Sequence, residues 1–483
     1  MKVMKKIILL LLIISIKSDA TIDFSSLSSG TGYTVSDNTV TISEDGTYTL
    51  TGTNTDKSIL VSSSATLVLN SLSLTSTGSL TPIIIDSSKS VTMTLSGTST
   101  LTDSSSNENE GVIYLNSGAS LTISGDGTLN LTPNKDMAIN GASSTSLTVN
   151  GGNIQVTSSS SNVGGIYSGK EITFNDCTYS YSATSGSNHA IDSEGNINIV
   201  KGTYTLNSGK GKGIKTEKYL YLGKTGSDNS DLSIDMNCSK EGIEAERIII
   251  YSGKLTIDAS EDGINAAGDD CEDEGQCRGN CNCYITISGG EIEVNSGEDG
   301  LDSNGDITIS GGKTIVYGAS TGADQPIDQD GTFSITGGSV FAAGSNEMGG
   351  GVQASTSLNT VTYTNTIASG KQITITDSSN NEVFNITNKK EVKYLYFASS
   401  STGLKINIGD SSGSTTQTST TATSTTQTST TAATTTRTAT TTATDTIQTS
   451  SNSTSDRFIL ITPNKSDNIK QSYLYLLFLL ILL

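Results

Sequence analysis

A two-residue mark, a small residue followed by Ile or Leu, returns along most of this chain at a nearly constant interval, and no other feature limits the fold as tightly. It reads Ala138-Ile139, Gly165-Ile166, Ala190-Ile191, Gly213-Ile214, Gly242-Ile243, Gly263-Ile264 and Gly300-Leu301. Val112-Ile113 precedes the series, and Pro326-Ile327 and Gly351-Val352 extend it. From Ile113 onward the spacings are 26, 27, 25, 23, 29, 21, 37, 26 and 25, with fainter marks at Ile59 and Ile84. One such unit cannot bury its own apolar row, whereas stacked units share a continuous core, so the period predicts a β-solenoid. A β-sandwich, the rival for a strand-rich chain, does not repeat one motif at this interval.

The fullest unit, residues 300–317, runs from a short strand carrying the mark through a turn to Ile307-Thr308-Ile309. Gly311-Gly312 and a third alternating strand follow. Ile, Leu and Val take the inward positions in this reading; Thr, Ser, Asp and Lys take the outward ones. The intervals give about twelve coils, and at roughly 4.8 Å per coil a rod of about 60 Å. The 37-residue interval is read as one coil with an insertion. Residues 23–50 and 373–408 are less regular and are expected to cap the two ends, the second hiding the last sheet edge.

The flanks point to the cell exterior. Residues 1–6 hold three lysines, residues 7–16 are apolar except for Ser15, and Ser18-Asp19-Ala20 supplies the small residues of a cleavage site. This predicts a signal peptide over residues 1–20, and the solenoid domain then spans 21–410. Residues 411–455 are mostly Thr, Ser, Ala and Gln, a composition that cannot bury a core and reads as an O-glycosylated, mucin-like stalk. Small residues at 450–455, a polar spacer at 462–472 and the apolar run Tyr473–Leu483 match a glycosylphosphatidylinositol signal. Asn452 is the expected acceptor, with residues 456–483 as the signal whose hydrophobic tail is removed. A spanning helix needs roughly 20 apolar residues, about twice the run present.

A net charge of −20 makes nucleic acid and anionic lipid poor partners and cations good ones, leaving membrane contact to the anchor. Asn130, Asn237, Asn385 and Asn452 open N-x-S/T sequons in the mature chain; Asn464 opens one in the removed segment. Four of the six cysteines, Cys271, Cys277, Cys281 and Cys283, crowd the insertion. Four close thiolates can hold zinc, but a secreted chain favours two disulfides that staple the loop. Cys177 and Cys238 sit two coils apart at different offsets, beyond disulfide reach, and are expected to be buried thiols.

Acidic residues flank the mark. Just before the small residue stand Glu241, Asp262 and Asp299; just after the Ile or Leu stand Asp192, Lys215, Glu244, Asn265, Asp302 and Asp328. In-register stacking turns these into two parallel ladders. Carboxylates about 5 Å apart repel by about 1 kcal/mol in water and by more in a drier groove. A divalent cation removes that repulsion, and hard oxygen ligands without nearby His suit Ca2+. The competing reading is a solvated acidic face whose Asp-Gly pairs merely make turns. The metal set is Asp262, Asn265, Asp299 and Asp302, with Glu241 and Glu244. No catalytic constellation can be assembled: His189 is the sole histidine and fills a turn position, and no Ser-His-Asp set emerges. Trp is absent, so a sugar-stacking platform has to use Tyr, such as Tyr204, Tyr221, Tyr251 or Tyr317, although these also suit plain outward strand positions.

Glu261-Asp262-Gly263-Ile264-Asn265-Ala266-Ala267 and the stretch 297–312 closely resemble a family of bacterial cell-surface carbohydrate-binding β-helices. Residues 327–343 continue the match, as do residues 45–52; the resemblance covers about 35–370. It implies an all-β, right-handed parallel β-helix of the pectate-lyase-like kind, bound calcium, and affinity for cellulose and acidic pectic polymers, with lyase chemistry not a defining property. Lys212-Gly213-Ile214, Glu241-Gly242-Ile243 and Gln325-Pro326-Ile327 depart from the family's Asp-Gly-Ile pattern, which implies fewer calcium ions here. The leading expectation is a non-catalytic, calcium-assisted binder of plant-type polysaccharide. The alternatives are a calcium-dependent lyase with Lys215 or Lys240 as base, and a structural or protein-binding adhesin.

Overall fold

In a computed structural model of the chain, the described residues are 18–410 apart from 106–109, 184, 269–281 and 348–350. Ser18–Ala20, assigned to the signal peptide, instead begin a strand, Ser18–Asp23, paired with Gly46–Thr51; the rest of the signal peptide, the stalk, the anchor signal with Asn452, and Cys271, Cys277 and Cys281 lie outside the described residues. The fold is a parallel β-solenoid of about twelve turns, in which each strand pairs with its counterpart one coil away. The mark forms one unbroken column: Val40, Ile59, Ile83, Ile113, Ile139, Ile166, Ile191, Ile214, Ile243, Ile264, Leu301 and Ile327. Every member is buried. Ile264 and Leu301 are direct neighbours despite the long interval between them, so the extra residues form an insertion within one coil.

The glycine of the mark has a steric cause. A Cβ on Gly263 would run into Cγ1 of Val294, and one on Gly300 into Cγ1 of Val316, because the first strand of each coil presses against the third across the lumen. Only a residue without a side chain leaves room for the valine methyl at these two positions. The neighbouring Ile then fills the lumen alongside the columns of the second and third strands, such as Ile285–Ile307–Phe333 and Leu255–Ile292.

Two further expectations need correction, and a third is sharpened. Among the fainter marks the column residue is Ile83 and not Ile84, which points outward from the same strand, Ile83–Ile85. Val352 lies in no strand; its N–H instead donates to Tyr394 Oη at 3.1 Å. Residues 373–408 do not simply close the end. The strands Lys371–Thr376, Glu382–Thr387 and Lys405–Asp410 form a separate antiparallel sheet. Its Ile373, Ile375 and Phe384 build a second core with Ile315, Tyr317 and Phe341 on the outer face of the solenoid's last coils. Tyr394–Ser399 pairs antiparallel with Ser339–Gly344 and so takes up the edge of that strand.

Candidate functional site

Stacking places both ladders as their spacing required. The residue after the mark runs Asn140, Tyr167, Asp192, Lys215, Glu244, Asn265, Asp302 and Asp328 through successive coils. The residue before the glycine stacks through backbone bonds: Gly242 N donates to Asp262 O, Gly263 N to Asp299 O and Gly300 N to Gln325 O, at 3.0, 2.9 and 3.1 Å. The two columns border one edge of the first sheet, and charge is handled differently along it.

In the middle coils the chain supplies its own cation. Lys212 Nζ lies 3.1 Å from Glu241 Oε1 and also bonds Glu244 Oε2, with side-chain exposures of only 14, 13 and 17%. Burial works to raise the Glu241 pKa, but its own backbone N–H and the Lys212 ammonium outweigh that and hold it below the ordinary value. Two carboxylates of the expected metal set are thus engaged by a lysine. Lys215 pairs with Glu217 at 2.5 Å. Burial favours its neutral form, yet Glu217, Asp192 and Glu244 raise its pKa on balance. Lys240 faces Glu261 at 3.5 Å. His189 Nδ1 accepts the Lys212 N–H at 3.1 Å, and burial together with Lys212 and Lys215 depresses its pKa to about 4. It is a neutral, fixed turn residue.

Farther along, no lysine intervenes. Asp262 Oδ1 accepts the Asp299 N–H at 2.9 Å and its Oδ2 accepts from Asn265 Nδ2 at 3.2 Å; Asp299 Oδ1 accepts the Gln325 N–H. Burial raises the Asp299 pKa to about 8; the Gln325 N–H opposes this, and Asp328, Asp262 and Asp302 add to it. Asp302 is pushed up to about 7 by burial and then by Asp262, Asp328 and Asp330. Burial likewise raises Asp262 to about 6. Asn265, only 9% exposed, buries its Oδ1 without a hydrogen-bond partner. An orphaned buried carbonyl oxygen beside three carboxylates that resist shared ionisation suits a hard cation. The side chains stand along two adjacent coils, and among the described residues no three His, Cys, Asp or Glu side chains gather in a metal-holding group.

The tyrosines divide. Tyr204 and Tyr317 are 1 and 0% exposed, the first inside the lumen and the second beneath the C-terminal sheet, so neither offers a platform. Tyr221 and Tyr251 stay partly exposed. Residues that went unnoticed join them: Tyr219 stacks on Tyr221 with centroids 5.6 Å apart, and Arg247 lies 4.9 Å over the Tyr219 ring. Asn237 and Asn385 are exposed and Asn130 partly so. Cys177 and Cys238 are free and buried, whereas Cys283 is buried at the end of the insertion.

Residues 36–278, half of the 483-residue chain, match the family described as carbohydrate-binding domain-containing protein. A solved structure described as that of the polysaccharide lyase-like protein from C. thermocellum, in a gadolinium derivative, is similar at 22% identity and a TM-score of 0.32. It covers 62% of this chain and 94% of its own. No curated protein matches.

Proposed function

This chain belongs to the family of carbohydrate-binding domain-containing proteins, and from that premise we propose that it is a non-catalytic, calcium-assisted binder of plant-type polysaccharide, cellulosic or pectic, displayed at the cell surface. The observation that carries the calcium part is the buried, unpartnered Asn265 Oδ1 set in register beside Asp302 and hydrogen-bonded through its own amide to Asp262. Asp262, Asn265, Asp299 and Asp302 are the residues that would hold the ion; Glu241 and Glu244 already have Lys212. When bound, calcium supplies the positive charge that lets these acids ionise together and that attracts a uronate polymer. The chain's own residues bind and orient, and both lysines considered as a lyase base are already ion-paired, Lys215 with Glu217 and Lys240 with Glu261.

The exterior placement rests on the signal-peptide pattern, the Thr/Ser-rich stalk and the anchor signal, which would carry the solenoid away from the membrane. Two disulfides among Cys271, Cys277, Cys281 and Cys283 and glycans on Asn130, Asn237 and Asn385 belong to the same proposal. Pull-downs on cellulose and polygalacturonate, with a glycan array, run in calcium and in chelator, test it. Retention on polygalacturonate in calcium that falls in chelator is the expected result. Failure to bind any glycan in either condition overturns the reading.

A further inference from the structure

We infer that a polar cavity on the upstream coils is a second, metal-independent saccharide subsite that takes neutral pyranose units. The inference rests on the carbohydrate-binding reading above and assigns its neutral-sugar contacts to particular side chains. The cavity holds about 580 Å³ and is built by three loops, 134–136, 160–162 and 187–188. These lead into the register strands of three successive coils, Met137–Val149, Gly164–Phe174 and Ile191–Ser193. One loop therefore repeats its contribution at each step of the solenoid, as a linear polymer lying along the axis would require.

The lining selects the ligand class. Asn134, Ser160, Asn162, Ser187 and Asn188 are amides and hydroxyls, and the two charged residues, Lys135 and Asp136, cancel in formal charge. Small-molecule pockets are mostly apolar with a few polar groups, so a lining of this kind turns away lipid-like ligands. An anion would call for a cluster of arginines or lysines. What remains is a neutral polyhydroxyl compound, since amides and hydroxyls both donate and accept, as sugar hydroxyls do. A volume near 580 Å³ falls within the range of about 300–1,000 Å³ that such sites occupy.

The walls are fixed in advance. Asn134 Nδ2 donates to Ser105 O at 3.0 Å, Ser160 Oγ to Asn134 Oδ1 at 3.3 Å, and the backbone N–H of Ser187 to Ser161 O at 2.9 Å. Asp136 accepts from the Met137 N–H at 2.8 Å and from Asn140 Nδ2 at 3.0 Å. The Ser161, Asn162 and Ser187 side chains remain exposed. The proposed cation ligands, Asp262, Asn265, Asp299 and Asp302, stand on later coils and none of them lines the cavity, so the cavity has no share in the cation site.

Titration of the intact chain with cellohexaose in chelator, and with oligogalacturonate in calcium, tests the assignment. We expect the wild type to bind cellohexaose without metal, and Asn162→Leu/Asn188→Leu to bind it roughly tenfold or more weakly. Oligogalacturonate binding in calcium should stay unchanged. Ser161→Leu, on an exposed side chain whose backbone carbonyl keeps its bond to Ser187, should weaken cellohexaose in the same direction and guards against a folding defect in the double variant. Unaltered cellohexaose affinity in both variants overturns the subsite. So does a wild type that binds oligogalacturonate in calcium but no cellohexaose in chelator, and this outcome leaves the broader reading standing. A wild type that binds neither overturns both.

Discussion

The coils around Gly242 and those around Gly300 share one backbone solution and differ in how they settle charge. In both, a glycine admits the first strand to the lumen and an Ile or Leu fills it. In the middle coils, Lys212 reaches between Glu241 and Glu244 and offsets part of their charge from within. In the later coils, Asp262, Asp299 and Asp302 have, among the described residues, only backbone N–H groups and an amide, and each carboxyl is held above its usual range. The first arrangement carries its own counter-charge, although Glu241 Oε2 stays buried without a partner. The second is costly when ionised and becomes favourable with an added cation, which is why the proposed calcium belongs to it. A solenoid repeats geometry faithfully, but side chains outside the lumen are free to change from coil to coil.

The contrast breaks most visibly at Lys212. Lys212→Met leaves two largely buried carboxylates facing each other without a counter-charge. Removing one member of a buried pair costs on the order of 3 kcal/mol, and we expect a loss of about that size in metal-free thermal or denaturant unfolding. The same variant should bind cellohexaose normally, because the cavity at 134–188 lies outside the pair. Unchanged stability would mean that the lysine contacts are surface ion pairs of little worth.

A smaller effect is expected on the later coils. Asp299→Ala removes a central member of the proposed ligand set while leaving the apolar column intact. Calcium affinity should fall by roughly tenfold, about 1.4 kcal/mol, as read by isothermal titration, and the calcium-dependent rise in melting temperature should shrink. Metal-free stability should shift by about 1 kcal/mol or less, the worth of the Asp299–Gln325 hydrogen bond. Calcium binding equal to that of the wild type would reduce the ladder to a solvated turn.

The fold was open to sequence reading because the lumen imposes its demand on every coil. The apolar residue of the mark recurs on every coil, and Ile264 and Leu301 kept their register across an insertion. Legibility failed where alternation failed. Ile83, Ile84 and Ile85 present three equivalent residues, so parity cannot choose among them. Tyr204 shares the parity of inward Leu206, a signal that was present and missed. Tyr317 does lie on the outward side, but the sheet that covers it forms from residues 371–410, and nothing near position 317 announces it. Lys212 lies a coil away from the acids it serves, so its role appears only after stacking. The cavity was hidden for another reason: Asn, Ser and Asp in loops read as ordinary turn formers.

The smallest expected effect sharpens the comparison by its sign. Asp302→Asn keeps the shape of the side chain and removes one of the mutually repelling charges. The folded pKa of Asp302, about 7, lies above its ordinary value of 3.8, so ionisation opposes folding. That opposition is absent below about pH 4, grows as the pH rises toward 7 and is complete above it. In chelator, Asp302→Asn should therefore match the wild type near pH 4 and exceed it by about 1 kcal/mol or less at pH 8, after allowance for solvent screening. Glu244→Gln, the same isosteric change two coils upstream, should do the reverse and destabilise, because it takes from Lys212 one of its two partners. Denaturant melts of both variants at the two pH values separate the cases. Opposite signs at pH 8 mean that one ladder holds two charge solutions, and equal signs would erase the distinction between the coils.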